Sequence, residues 1–259
     1  MDIKKFSEDL KNLGVEKGMD LMVHSSLRNV GANAKDAGAD MVIDALLEII
    51  GPDGTLLAPA VSGSVKPDQP VFHVEYTPST VGFFTNALRS RPEAVRSLHP
   101  VHSVAAAGPK AEFFLAGHIE ANTPWSPETP YGRLVRDKDA AILFLGVNLN
   151  YNSCFHALEI EARLPGMHTP ESTILHVIDK KNSMFEVEHH WHHPLTRRFF
   201  PDMEYVLHES GCLNWGKTER GMSRLVQAVP MREVILKLLA EEPWLMTRPP
   251  ADNAFIWEP

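Results

Sequence analysis

The run Ala140–Val147, written Ala-Ala-Ile-Leu-Phe-Leu-Gly-Val, is the most apolar stretch of the chain. It is far too short to cross a bilayer, which takes about 20 apolar residues. Without polar alternation it predicts a central strand buried on both faces, so the chain must supply a covering layer on each side of the sheet. Leu21–His24 reads as a second buried strand, breaking into the polar turn Ser25-Ser26-Leu27-Arg28. Thr55–Ala60 reads as a third, entered through Gly51-Pro52-Asp53-Gly54. Ahead of them, Ile3, Phe6, Leu10 and Leu13 fall on one helical face bounded by Asp2 and Gly14, and Met41–Ile50 reads as a second helix between the strands at 21–24 and 55–60. Thr77-Pro78 places a capping hydroxyl before a proline and predicts a helix running through Leu88; Thr129-Pro130 repeats the device before Tyr131–Val135.

Further along, Val101–Ala107 reads as a strand, Lys110–His118 as a short helix, and Cys154–Leu164 as a helix stopped by Pro165-Gly166. Ile174–Asp179 and Met184–His189 flank Lys180–Ser183 as a hairpin, Tyr205–His208 suggests one more strand, and Arg220–Leu239 reads as a long last helix kinked or divided at Pro230. The expectation is one α/β domain over residues 1–259, a mixed-sheet sandwich with helices on both faces.

A chain of 259 residues, 44% hydrophobic and 22% charged, can bury such a core without disulfide staples. Its two cysteines, Cys154 and Cys212, argue against a secreted disulfide scaffold and for a reducing compartment. Lys and Arg number 25 against 33 Asp and Glu, and no basic run stands out, which argues against a nucleic-acid platform or an anionic membrane surface. The opening Met-Asp-Ile-Lys-Lys begins an amphipathic segment rather than a signal peptide, so a soluble cytoplasmic protein is expected.

Several motifs compete for the chemistry. Gly211-Cys-Leu-Asn-Trp-Gly-Lys-Thr218 matches the phosphate-loop pattern, but the run before it is polar-edged, Trp215 is bulky where the chain should curl, and no later strand offers an Asp for magnesium. It reads as a Gly-rich turn before the last helix. His189-His-Trp-His-His193 invites a zinc reading, yet neighbours on a strand point to opposite faces, so a structural or acceptor-binding role is favoured and no metal is predicted. Cys154 and His156 lie two apart, a poor spacing for a thiol and its base on a helix; a packed cysteine is the commoner outcome. His156 and Glu159, three apart, share a helical face, where a carboxylate can fix an imidazole's tautomer and raise its basicity, the arrangement of a general base.

Four segments, in order, resemble the aminoglycoside 3-N-acetyltransferase family, which is unrelated to the GNAT fold. They are Val23-His-Ser-Ser-Leu-Arg28; Gly54-Thr-Leu-Leu-Ala-Pro59; Thr77-Pro-Ser-Thr-Val-Gly-Phe83 with Arg96-Ser-Leu-His-Pro-Val-His-Ser-Val-Ala-Ala106; and Cys154-Phe-His-Ala-Leu-Glu159. The resemblance implies acetyl transfer from acetyl-coenzyme A to a small-molecule amine, an activity associated with antibiotic resistance. It implies His156 as base and Glu159 as its orienting group, with His24 assisting the base or the substrate. Ser25, Ser26 and Leu27 would offer backbone N–H groups to the coenzyme, and Thr77, Ser79, Ser103 and Val104 would line its pantetheine channel. Three alternatives stay open from the sequence: a metal-dependent hydrolase built on His189–His193, a coenzyme A-binding protein without activity, and an acetyltransferase of a biosynthetic amine.

Overall fold

The computed structural model describes residues 1–32, 38–121 and 123–249. Its strands are β1 (Asp20–Ser25), β2 (Thr55–Pro59), β3 (Val71–His73), β4 (Val95–Arg96), β5 (Val104–Ala107), β6 (Ala140–Leu145), β7 (His168–Ile178), β8 (Met184–His192), β9 (Arg197–Arg198), β10 (Leu213–Thr218), β11 (Gly221–Gln227) and β12 (Thr247–Arg248). The α-helices are α1 (Ile3–Leu13), α2 (Gly38–Ile50), α3 (Phe83–Arg89), α4 (Ala111–Leu115), α5 (Pro130–Leu134), α6 (Cys154–Glu161), α7 (Met203–Glu209) and α8 (Ala228–Glu241).

Among the described residues the main sheet has seven strands in the order β10-β11-β6-β1-β2-β5-β4. Its middle, β6-β1-β2, is parallel, and the strands on either side join antiparallel, so the sheet is mixed as expected. Every residue of β6 is buried, because β1 and β11 pair with its edges and helices cover both faces. The two-residue period of the strands sorts the core. Leu21, Val23, Leu56, Ala58, Ala141, Leu143 and Leu145 face α1, α2 and α3. Met22, Leu57, Ala140, Ile142 and Phe144 face the layer of α4 to α8. A smaller sheet, β3-β7-β8, encloses its own apolar cluster around Phe72, Leu175 and Val177.

Four expectations give way to local chemistry. The helix foreseen from Thr77 begins only at Phe83, after Gly82 with φ +122°. Thr77 Oγ1 instead accepts from the His73 N–H at 2.8 Å, closing a tight turn, while Ser79 N–H donates to Asn86 Oδ1 at 3.0 Å. Val101–Ala107 is extended only from Val104, since His99 Nδ1 accepts from the N–H groups of Val101 and His102 and holds that stretch in a turn. Tyr205–His208 lies inside α7, whose buried Met203 and Leu207 are four apart, a helical spacing. Arg220–Leu239 divides into strand β11 and helix α8; Pro230 stands in the first turn of α8, where a missing N–H leaves no intrahelical bond unmade.

The phosphate-loop match is a strand. Leu213–Thr218 pairs antiparallel with Gly221–Val226 throughout, so the backbone does not curl into an anion cradle, and the expected turn before the last helix is a hairpin. Gly221 permits this close packing: a Cβ there would lie 2.7 Å from the Asn29 carbonyl oxygen.

Candidate active site

Helix α6 carries His156 and Glu159, and its placement is set on three sides. Phe155 and Leu158 enter the core, and Phe155 meets Phe200 edge-on at 5.0 Å. Glu161, at its last turn, is ion-paired with Arg136 at 2.7 Å and with Arg232 of α8. On the face so oriented, His156 Nδ1 and Glu159 Oε2 lie 2.5 Å apart. With the carboxylate as acceptor, Nδ1 carries the proton and Nε2 keeps its lone pair. Burial pushes the His156 imidazole below its ordinary pKa, outweighing the opposite pull of Glu159. The sequence predicted a raised basicity; desolvation wins instead, and the ring stays neutral at pH 7. Burial alone would raise the Glu159 carboxyl, but the hydrogen bond from His156, the charge of Arg198 and the hydroxyl of Thr247 hold it below the usual range.

His156 forms one wall of a cleft of about 530 Å³, together with His24, Ser25, Pro59, Thr80, Val81, Gly82, Thr85, Asn150, Tyr151 and Ser153. The cleft lies over the carboxyl ends of β1 and β2, where open α/β sheets commonly bind ligands. Tyr151 is shared with a second, more polar cleft of about 590 Å³ lined by Ser26, Asn29, Asn148, Arg220 and Arg224. The two clefts thus meet at Tyr151, the first holding the imidazole and the second Arg220 together with Arg224, which is paired with Glu204.

The residues foreseen for this site fare unequally. His24 lines the same cleft; its ring stacks on Phe144 at 5.2 Å, burial lowers its pKa to about 3, and Nε2 has no hydrogen-bond partner among the described residues. Ser25 lines the cleft, and Ser26 lines the second one with its N–H committed to the Leu145 carbonyl at 2.8 Å. Leu27 turns its side chain into the core against α1 and α2.

Ser103, Val104, Thr77 and Ser79, expected along the coenzyme channel, line neither of these two clefts. Ser103 is fully buried, donating to the Ala60 carbonyl at 2.8 Å and accepting from Arg96 Nε at 2.9 Å, and Val104 is a core residue. Ser79 is buried, with Oγ accepting from Val81 N–H, while the Thr77 carbonyl accepts from Arg96 Nη1 at 2.5 Å. Their neighbours Thr80, Val81 and Gly82 reach the cleft in their place.

Arg96 is the centre of this scaffold. It also donates to the carbonyls of Val74 and Ala60 and to Ser62 Oγ, and its guanidinium lies 4.8 Å over the Phe72 ring. Burial pushes its pKa down to about 9, and the ring of acceptors around it is uncharged.

Behind His156 lies an aromatic and imidazole array that the sequence left unexplained. Trp125 stacks on His192 at 4.4 Å and touches His156 at 4.7 Å and His102 at 4.5 Å. His192 meets His156 at 4.6 Å, while His189 meets His99 at 5.4 Å and His99 meets His118 at 4.9 Å. The hairpin register shifts between His168 and Ser172, beside His192, and both His189 and His192 approach His102 and so join one array. No group of three or more His, Cys, Asp or Glu among the described residues is arranged to hold a metal ion. Cys154 is buried as a free thiol whose pKa burial raises strongly, the state of a packing residue rather than a nucleophile.

The family model for aminoglycoside 3-N-acetyltransferase matches residues 22–240. The chain belongs to the aminoglycoside 3-N-acetyltransferase family. It is similar to aminoglycoside N(3)-acetyltransferase IV of Salmonella sp, 31% identical over 243 residues that cover 93% of this chain and 88% of that protein. It is also similar to the SPbeta prophage-derived aminoglycoside N(3')-acetyltransferase-like protein YokD of Bacillus subtilis, 31% identical over 178 residues. That match covers 60% of this chain and 64% of the relative, less than two thirds of its length.

Among solved structures, a histidine-to-alanine mutant of aminoglycoside acetyltransferase AAC(3)-IVa in complex with gentamicin aligns with a TM-score of 0.80 at 28% identity, covering 95% of this chain and 91% of that one. AAC-IIIb in a binary complex with CoASH aligns with a TM-score of 0.79 at 25% identity, covering 93% and 97%. The acetyltransferase fold foreseen from four short segments therefore extends along nearly the whole chain.

Proposed function

We propose that residues 1–259 act as a single cytoplasmic acetyltransferase domain that moves the acetyl group of acetyl-coenzyme A onto an amine of an aminoglycoside-like acceptor, with His156 as general base. The observation that carries the reading is the neutral, cleft-facing His156 whose Nδ1 lies 2.5 Å from the buried Glu159. Family membership and the coenzyme and aminoglycoside named for its structural relatives supply the reactants. Two buried free cysteines accord with a reducing compartment, and among the described residues no helix is long and apolar enough to cross a membrane.

An acceptor amine is protonated near pH 7 and cannot attack until it loses a proton. That first proton passes to solvent, and His156 Nε2 takes a second one from the free amine as its nitrogen forms the bond to the thioester carbonyl carbon. The tetrahedral intermediate then collapses, the carbon–sulfur bond breaks, and the proton on His156 passes to the departing thiolate. Glu159 keeps Nδ1 protonated and stabilises the imidazolium between the two transfers. His24, neutral in the same cleft, offers one polar nitrogen to substrate. Ser25, Thr80 and Gly82 flank the pantetheine arm, and the path past Tyr151 leads the coenzyme's phosphates to Arg220.

The decisive test follows thiol release from acetyl-coenzyme A with a panel of aminoglycosides and simple amines. Turnover with an aminoglycoside is expected, and His156→Ala should lower kcat by ~10²–10⁴-fold with little change in coenzyme affinity. A folded His156→Ala enzyme with near-normal kcat would end the proposed mechanism.

A further inference from the structure

Glu159 is held by more than His156. Its second oxygen, Oε1, accepts from Thr247 Oγ1, and Arg198 Nε stands 3.8 Å from the same oxygen. Thr247 and Arg198 face each other across the two-stranded ribbon β9–β12, and that ribbon is continued by the Phe199 N–H donating to the Met246 carbonyl at 2.8 Å. Met246 and Phe200 anchor it in the core. Thr247 is fully buried and Glu159 nearly so, whereas Arg198 Nε and Nη2 make no hydrogen bond among the described residues. Arg198 therefore acts on Glu159 through its charge, and Thr247 through a directed hydrogen bond.

We propose that Thr247 and Arg198 are positioning residues for the His156–Glu159 pair: the ribbon fixes Oε1 of Glu159, commits Oε2 to His156 Nδ1 and leaves Nε2 as the base in the cleft. The inference rests on the reading of His156 as base. Its physical content is tautomer control. A carboxylate free to rotate could offer either oxygen at changing angles, and the imidazole proton would then divide between Nδ1 and Nε2. An imidazole protonated at Nε2 cannot accept a proton there. A buried carboxylate also needs its donors, because an unsatisfied anion in this setting is costly.

The charged groups around His156 give a second readout. Glu159 lies on its own helix, Arg198 approaches from β9, His192 from β8, His168 from β7, and His102 from the segment before β5. Arg198 is the fixed positive charge in this set and disfavours the imidazolium. Removing it should move the rising limb of the kcat–pH profile to higher pH. Removing the Thr247 hydroxyl should move it the same way, since a less stabilised carboxylate holds the imidazolium more strongly.

The test uses the full chain with ¹⁵N-labelled histidine at pH 7.5, the His156 signals being assigned by their loss in His156→Ala. The native protein should show Nδ1 protonated and Nε2 bare. Thr247→Val should mix the tautomers and lower kcat with gentamicin by about 10- to 100-fold, the worth of a hydrogen bond to a charged group, with KM for acetyl-coenzyme A unchanged. Thr247→Ser should restore both. Arg198→Met should shift the pH limb upward and Arg198→Lys should not.

Folded Thr247→Val and Arg198→Met proteins with native His156 shifts and pH limb would overturn the positioning role, even with His156→Ala inactive. An active His156→Ala would instead overturn the base. If Thr247→Val does not fold, Arg198→Met and its ¹⁵N spectrum decide alone.

Discussion

Acidification should unfold this protein through its histidines. Burial lowers the pKa of His24, His118 and His168 to about 3 and that of His189 to about 4, and it places His99, His102 and His192 well below the ordinary value. In the unfolded chain each imidazole titrates near 6.5. Above that pH both states are neutral and the histidines add no pH dependence. As the pH falls below it, the unfolded state takes up protons that the folded state refuses, so stability falls. At pH 5.5 each refused proton costs about 1.4 kcal/mol. The four groups near 3 to 4 together remove roughly 5–6 kcal/mol, comparable with the lower end of a domain's whole stability of about 5–15 kcal/mol, before the remaining three add theirs. Urea titrations followed by circular dichroism at pH 7.5, 6.5 and 5.5 should show a loss of roughly 1.5–2.5 kcal/mol over the first step and a loss about three times larger over the second. A free energy of unfolding constant to within about 1 kcal/mol from pH 7.5 to 5.5 would refute the buried neutral array.

Four further outcomes are expected. Glu159→Gln should cost less kcat than His156→Ala and move the rising limb of the pH profile to lower pH, because the charge that favours the imidazolium is gone while burial remains. Cys154→Ala should keep kcat and show no pre-steady-state burst of acyl-enzyme, since its buried thiol is held protonated. Arg220→Ala should raise KM for acetyl-coenzyme A severalfold without changing kcat, an effect that weakens at high salt if a phosphate contact is lost. Arg96→Lys should lower Tm and also raise KM for acetyl-coenzyme A, because an ammonium has three donors for a site that supplies Ser103, Val74, Thr77, Ala60 and Ser62 as acceptors.

The central sheet was legible wherever apolar residues run together. Leu21–His24, Thr55–Ala60 and Ala140–Val147 all form parallel strands of its middle, since a strand covered on both faces needs continuous hydrophobic side chains. Gly221–Gln227 escaped because its apolar residues Met222, Leu225 and Val226 fall at i, i+3 and i+4, a helical spacing that runs straight into the true helix, and only its partners β6 and β10 reveal the strand. The turn at Thr77 escaped for another reason: Thr-Pro is a helix-opening signal, but here the hydroxyl accepts from the His73 N–H before any helix begins. His156 and Glu159 were found from local spacing because one helix presents both. Thr247 and Arg198 were not, because they reach Glu159 from a ribbon whose strands are distant in sequence.

The longest recognisable string, from Arg96 to Ala106, shows what a motif can encode. The resemblance implied coenzyme contact at Ser103 and Val104, yet these two, with Arg96 and Ser97, face the interior. Ser97 Oγ accepts from the Val104 N–H at 2.9 Å and bonds His118 Nδ1 at 2.8 Å, while Arg96 ties the end of β2 to the loop that precedes α3. Those two segments supply Pro59, Val61, Thr80, Val81 and Gly82 to the cleft. The string thus acts on the cleft at one remove, through polar contacts that tolerate no change of donor number or reach. A cleft wall of small residues can be rebuilt from several side chains, but a buried guanidinium bonded to five separate acceptors cannot. The most distinctive residues of such a site are therefore those that hold the wall, and the residues that meet substrate stand one or two positions away.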